Sequence, residues 1–132
     1  VLAELDGKFA IEQQYRYPYD AILNEFPAGK VDKGEDLQVA ALRELEEEIG
    51  YKANKIVYLG KMYPSCAYTD EVIHLYYATD LIKTERHLDI DEAINFSFKT
   101  MDEINELIKS GQLNDAKSLC ILQYYNLLIK NK

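Results

Sequence analysis

Three glutamates, Glu44, Glu47 and Glu48, stand three and four positions apart in a run that reads as helix. Residues at that spacing share one helix face. Their carboxylates are therefore stacked on adjacent turns, with Glu46 as a further charge beside them. Each like-charged pair at that spacing costs about 0.2–0.5 kcal/mol on an exposed helix. The acids also lie near the end of the run, where the helix dipole disfavours negative charge. A divalent cation would reverse both penalties, and hard cations such as Mg²⁺ take carboxylate oxygens. The competing reading is a solvated acidic face on an ordinary amphipathic helix, which is the usual meaning of a bare acidic run.

The helix that carries these acids is predicted over Glu35–Ile49. Leu37, Ala41 and Leu45 recur every four residues, with Leu42 and Ile49 alongside, and form one apolar stripe. Asp36 suits a cap or first-turn acid, and Gly50 stands where a helix end favours glycine. Ahead of the helix, Val1–Leu5 and Lys8–Tyr15 are apolar-rich runs on either side of Asp6-Gly7, a strong hairpin signal. A third strand is expected at Ile22–Phe26, ended by Pro27-Ala28-Gly29, and Lys30–Gly34 reads as loop. After the helix, Lys55–Met62, Val72–Ala78 and Ala93–Phe98 read as strands. Thr100-Met101-Asp102-Glu103 is a capping box that opens a helix to about Ser110, closed by Gly111. A last helix should start near Asn114 or Asp115, with Leu119, Leu122, Tyr125 and Ile129 as its apolar positions. Strands, helix, strands and two helices in that order predict an α/β fold, a mixed sheet with helices on both faces.

The stretch Gly29 to Tyr51, GKVDKGEDLQVAALRELEEEIGY, resembles the Nudix box, written G-x5-E-x7-R-E-U-x-E-E-x-G-U with U aliphatic. Gly29, Glu35, Arg43, Glu44, Leu45, Glu47, Glu48 and Gly50 fill its fixed places, and Tyr51 stands where an aliphatic is usual. The resemblance implies the Nudix-type α/β/α sandwich and metal-assisted attack of water on a pyrophosphate. It implies Glu44, Glu47 and Glu48 as metal ligands, completed by the backbone carbonyl of Ala28. Gly29 would permit close backbone approach. Arg43 would orient the acids, with Glu35 as its partner. The expected cofactor is Mg²⁺ or Mn²⁺, roughly two or three ions.

Further segments are similar to the ADP-ribose pyrophosphatases within that family. Glu25-Phe26-Pro27-Ala28-Gly29-Lys30 resembles their E-L-P-A-G-K run, and Gln14-Tyr15-Arg16-Tyr17-Pro18 their Q-Y-R-x-P run. The latter gives Arg16 a place near substrate phosphates, for which the planar guanidinium is suited. Tyr63 to Glu71 resembles their S-P-G-Y/F-x-D/N-E segment and brings Glu71 toward the substrate, but Cys66-Ala67 replaces the Pro-Gly pair. Leu88 to Ile94 resembles the acidic loop that supplies the general base, which points to Glu92, with Asp91 and Asp89 behind it. Leu113 to Lys117 resembles the family's I-D-N-A-A helix start. The resemblance implies cleavage of ADP-ribose to AMP and ribose 5-phosphate. The alternatives are GDP-mannose or another nucleoside diphosphate sugar, a sanitising enzyme for nucleoside triphosphates, and a nucleotide-sensing module without turnover. The box acids are all kept, which disfavours the last. Members of this group also carry a segment before the first strand that helps form a homodimer, and a homodimer is expected here.

The rest of the chain sets the boundaries of these readings. At 132 residues it fits one domain, 1–132, and Val1 is not an initiator Met, so a preceding N-terminal segment belongs to the expectation. Twenty-three acidic against 15 basic residues give a net charge of −8, which argues against a nucleic-acid partner. No apolar run approaches the roughly 20 residues of a membrane helix, and no signal peptide is visible. Cys66 and Cys120 form no C-x-x-C pair, so a reducing cytoplasm is expected. His74 reads as a core or edge histidine, His87 as a loop residue, and the 11 tyrosines mostly as packing.

Overall fold

In the computed structural model, residues 1–86 and 95–131 are described. Strands β1 (Leu2–Leu5) and β2 (Lys8–Arg16) form a hairpin with Leu5 opposite Lys8. Asp6 and Gly7 turn the chain at φ 52° and 77°, the left-handed pair that a tight hairpin of this twist demands. A 3-10 turn at Tyr17–Tyr19 returns the chain as β3 (Ala21–Glu25), antiparallel to β2. Helix α1 (Leu37–Ile49) follows, then β4 (Tyr51–Met62), β5 (Ile73–Lys83) and β6 (Asn95–Thr100). Helices α2 (Met101–Lys109) and α3 (Ala116–Tyr125) close the chain, α3 running on into a π turn at Asn126–Lys130.

The six strands make one sheet in the order β3-β2-β1-β5-β4, with β6 also paired to β2. β1 and β5 are parallel and the other pairs antiparallel, so the sheet is mixed, as the order of elements predicts. Side-chain alternation divides it between two cores. Leu2, Phe9 and Ile11 face a large core with Leu59, Leu75, Ile104, Leu113, Ile121 and Leu122, covered by α2 and α3. Ala3 and Ala10 face the other way, with Ala53, Ala78 and Leu81, against Leu45 and Ile49 of α1. Small side chains on that face let α1 lie close to the strands. No helix among the described residues is long and apolar enough to cross a membrane.

The element boundaries differ from the sequence reading for physical reasons. α1 begins at Leu37, because the Asp36 side chain accepts from the amides of Gln38 and Val39 at 3.0 and 3.1 Å and acts as N-cap. Glu35 is thereby left outside the helix. β4 begins at Tyr51, four residues earlier than expected, and β5 continues to Lys83, five residues later. The two pair from Tyr51↔Lys83 to Met62↔Ile73, so tertiary pairing overrides the weak strand propensity of Lys52, Asn54 and Asp80. The capping box of α2 is present, Thr100 and Glu103 bonding reciprocally at 3.0 and 3.2 Å. Asp115 caps α3.

Candidate active site

The last two turns of α1 face the loop that leaves β3. Gly29 crosses directly over Glu44, so closely that a Cβ there would lie 1.9 Å from the Glu44 carboxyl carbon. Only a residue without a side chain allows this approach while Glu44 keeps its place. The amide of Ala28 donates to Glu48 Oε2 at 3.2 Å. Ala28, Gly29 and Glu44 line a cleft of about 430 Å³, with Glu71, His74, Tyr76 and Lys117 among its other walls.

Arg43 organises the acids. Its Nε and Nη2 grip Glu35 at 2.8 and 2.9 Å, and its Nη1 reaches Glu44 at 2.8 Å and Glu47 at 3.1 Å. Its Nη2 also donates to the carbonyl of Lys30 at 3.1 Å, which ties the loop to the helix. Glu35 also accepts from the amide of Asp32 at 3.0 Å. With those bonds, the largest from Arg43, its carboxyl is held down at about 2. Glu44 goes the other way. Burial is the main cause, the bond from Arg43 holds it back, and the charges of Glu48 and Glu47 add to the rise, which reaches about 7. The burial cost thus exceeds what Arg43 returns.

This arrangement answers the question of a cation. Among the described residues no three acidic, histidine or cysteine side chains already converge as ligands. Glu44 and Glu47 are held by Arg43, and Glu48 by the Ala28 amide. The donor set is nonetheless all hard oxygen, and crowded carboxylates, Glu48 buried, Glu44 half-buried and Glu47 partly exposed, repel one another in a way that a divalent cation relieves. The residues present fit Mg²⁺ or Mn²⁺ in chemistry and charge, with side-chain rotation required to bring them round the ion.

The other predicted residues are placed as follows. Arg16 forks onto Glu25 at 2.7 Å through both Nε and Nη2. Glu25 is 2% exposed and also takes Lys117 Nζ at 2.7 Å. Burial alone would raise the Glu25 carboxyl, but these two cations outweigh it and hold it below its usual value. Lys117 therefore connects Arg16, which is not among the cleft's lining residues, to the cleft wall. The segment before Glu71 closes as a turn, with the amides of Tyr68 and Thr69 both donating to the Ser65 carbonyl at 3.0 Å, and Cys66 is exposed within it. His74 lies on β5 with Nδ1 3.0 Å from the Tyr58 hydroxyl. Glu92, with Asp89, Asp91 and His87, lies outside the described residues.

Two side chains that sequence reasoning passed over stand beside Glu48. The Arg86 guanidinium donates to the Glu48 carbonyl and lies 5.0 Å over the Phe96 ring. Glu12 is 1% exposed in the middle of β2, and its carboxyl is hydrogen-bonded with that of Glu48. Burial pushes it above its usual value. The available signal was an acid following the apolar run Phe9-Ala10-Ile11 in a strand covered on both faces.

Comparison with known proteins adds a second line of argument. The profile of the NUDIX domain family matches residues 2–120. The ADP-ribose pyrophosphatase of Bacillus subtilis (strain 168) is 38% identical over 130 residues, covering 96% of this chain and 70% of that protein. The methanol dehydrogenase activator of Bacillus methanolicus is 41% identical over 124 residues, covering 92% of this chain and 67% of that protein. A solved structure described as an ADP compounds hydrolase superposes with a TM-score of 0.90 at 23% identity, over 98% of this chain and 70% of that one. That structural likeness speaks for the fold.

Proposed function

We propose that this chain, which belongs to the NUDIX domain family, is a metal-dependent hydrolase that cleaves ADP-ribose at its pyrophosphate bond. Water adds to one phosphorus, the bridging P–O bond breaks, and AMP and ribose 5-phosphate leave. The observation that carries the reading is the seating of Glu44 under Gly29 in the cleft wall, with Glu48 bound beside it to the Ala28 amide. Relatives named ADP-ribose pyrophosphatase support the substrate class.

Glu44, Glu47 and Glu48, with the carbonyl of Ala28, would hold the cations. What Mg²⁺ or Mn²⁺ supplies there when bound is neutralisation of phosphoryl charge and a lowered pKa for water. Arg43, braced by Glu35, keeps Glu44 and Glu47 turned toward the site. Gly29 and Glu71 meet the substrate on the cleft wall, and Arg16 contributes positive charge for its phosphates. Glu92 takes the proton from the attacking water.

A wider range of nucleoside diphosphate sugars is the second reading, favoured by the 63–71 segment. Cys66-Ala67 lacks the rigidity of Pro-Gly, and the turn closes instead through hydrogen bonds to Ser65. A hydrolysis panel of ADP-ribose, GDP-mannose, UDP-glucose and a nucleoside triphosphate with Mg²⁺ or Mn²⁺ separates the readings. ADP-ribose should be cleaved, with appreciable turnover of at least one other sugar nucleotide. A triphosphate with kcat/KM about ten times that of every sugar nucleotide would overturn the substrate class, since a shift of that size is worth about 1.4 kcal/mol of transition-state preference.

A further inference from the structure

His74 stands on β5 two residues before Tyr76, so the two share one face of the strand. It is the face of Ala78, which packs toward Leu45 and Ile49 of α1. His74 and Tyr76 both line the cleft, together with Leu37 and Ala40 of α1. Tyr58, on the neighbouring strand β4, is exposed and is not among the lining residues, so it braces this wall from outside. Its ring meets Tyr76 edge-on at 5.2 Å and His74 at a tilt at 5.9 Å. Its hydroxyl lies 3.0 Å from His74 Nδ1. Just beyond Tyr58 the pairing of β4 with β5 slips by one residue. Bulges of this kind recur beside functional sites and re-aim side chains.

The imidazole is thus fixed through one nitrogen. The other, Nε2, makes no hydrogen bond among the described residues. The rest of the wall from Val72 to Tyr76 carries no charged side chain, and just before it the acid Glu71 enters the cleft. A carboxylate repels phosphate and accepts protons from hydroxyls, so this wall suits an uncharged, hydroxyl-bearing part of a ligand. We propose that His74 is a specificity-determining residue that hydrogen-bonds a ribose hydroxyl of the substrate through Nε2, with Tyr58 as the positioning residue that sets its ring. This role rests on the reading of the chain as an ADP-ribose hydrolase. ADP-ribose has one ribose on the adenine and one beyond the pyrophosphate, and both offer the same chemistry. A bond to either is made before the attack of water and kept through it, so its removal acts on KM.

Steady-state kinetics of the full chain on ADP-ribose with Mg²⁺ test the assignment. Two competitors are titrated against it: 2′,3′-dideoxyadenosine diphosphate ribose, which lacks the hydroxyls beside adenine, and the methyl ester of ADP, which lacks the distal ribose. If the parent does not turn over ADP-ribose, the hydrolase reading itself fails and this role falls with it. In an active parent, His74→Phe, which keeps a ring beside Tyr58 but no nitrogen, should raise KM by at least about tenfold. His74→Gln, whose amide reaches toward the place of Nε2, should stay within about threefold of the parent. Tyr58→Phe should raise KM by itself but add nothing in the double variant with His74→Phe, because it acts through the imidazole. For the competitor that lacks the bonded hydroxyl, His74→Phe should change Ki by less than about threefold, and that competitor identifies the ribose. His74→Ala replaces the Phe variant if that one does not fold. Parent-like KM in His74→Phe or His74→Ala overturns the proposal, and so does a penalty of the same size on both competitors. If neither variant folds, His74 is a support of the fold and the proposal is likewise overturned.

Discussion

At Gly29 one added methyl group would meet a carboxylate. The Cβ of Gly29→Ala would lie 1.9 to 2.3 Å from three atoms of the Glu44 side chain. Those atoms are the far end of a flexible side chain, so Glu44 can swing away and the fold survives. The site does not, because Glu44 then leaves both the cleft and Arg43. A displacement of about an ångström at a reacting centre costs about 10²-fold, and kcat/KM of Gly29→Ala should fall by that order with melting temperature little changed. Parent-like kcat/KM in Mg²⁺ would show that Glu44 is not needed where it lies. The general base makes a separate claim. Glu92→Gln should lower kcat by about 10²–10⁴ with Mn²⁺ affinity unchanged. A larger loss from Asp89→Asn or Asp91→Asn would move the role to that residue.

At the scale of elements, α1 and the loop after β3 act as one unit because Arg43 bonds both. Glu35 is the outer anchor of that unit, and its pH dependence follows from its carboxyl being held at about 2, below its ordinary 4.5. A lowered pKa means that the folded state prefers the charged form. The stabilisation is therefore complete above about 4.5 and is lost as pH falls toward about 2. The difference in melting temperature between the parent and Glu35→Gln should be constant near neutrality and shrink below about pH 4.5. A gap that persists undiminished at about pH 3 would mean the pair does not hold the loop. Much of this unit was legible in the sequence. The stripe Leu37, Ala41, Leu45, the cap at Asp36 and the spacing of the acids are all local signals, set by the helical period. The long pairing of β4 with β5 was not, because it depends on Lys83 lying opposite Tyr51, and no local window contains both. Glu12 and Arg86 were missed for the same reason. Each meets Glu48 only after the chain has folded across more than thirty residues.

At the scale of the whole molecule, the protein holds a concentrated negative site within a chain of net charge −8. The structure changes which acid carries the tension. Glu47 is 41% exposed and paired with Arg43 at 3.1 Å, so little tension rests on it. Glu44 is 16% exposed and pushed up to about 7, so the uncompensated burial lies there. A ligand present at about 100 times its Kd stabilises by about 2.7 kcal/mol, roughly 10 °C for a domain of this size. Mn²⁺ should raise the parent's melting temperature on that scale, and Glu44→Gln should melt higher than the parent in EDTA yet gain less from Mn²⁺. A parent that melts identically in EDTA and Mn²⁺ would remove the cation from the account. That a cation held by these acids acts at the pyrophosphate is decided by product analysis of ADP-ribose hydrolysis. With Mg²⁺ the parent should yield AMP and ribose 5-phosphate in equal amounts. In EDTA it should yield neither, and Glu48→Gln should lose at least about 10²-fold in kcat. Release of ADP or adenine in place of AMP, or turnover that survives EDTA, would contradict it.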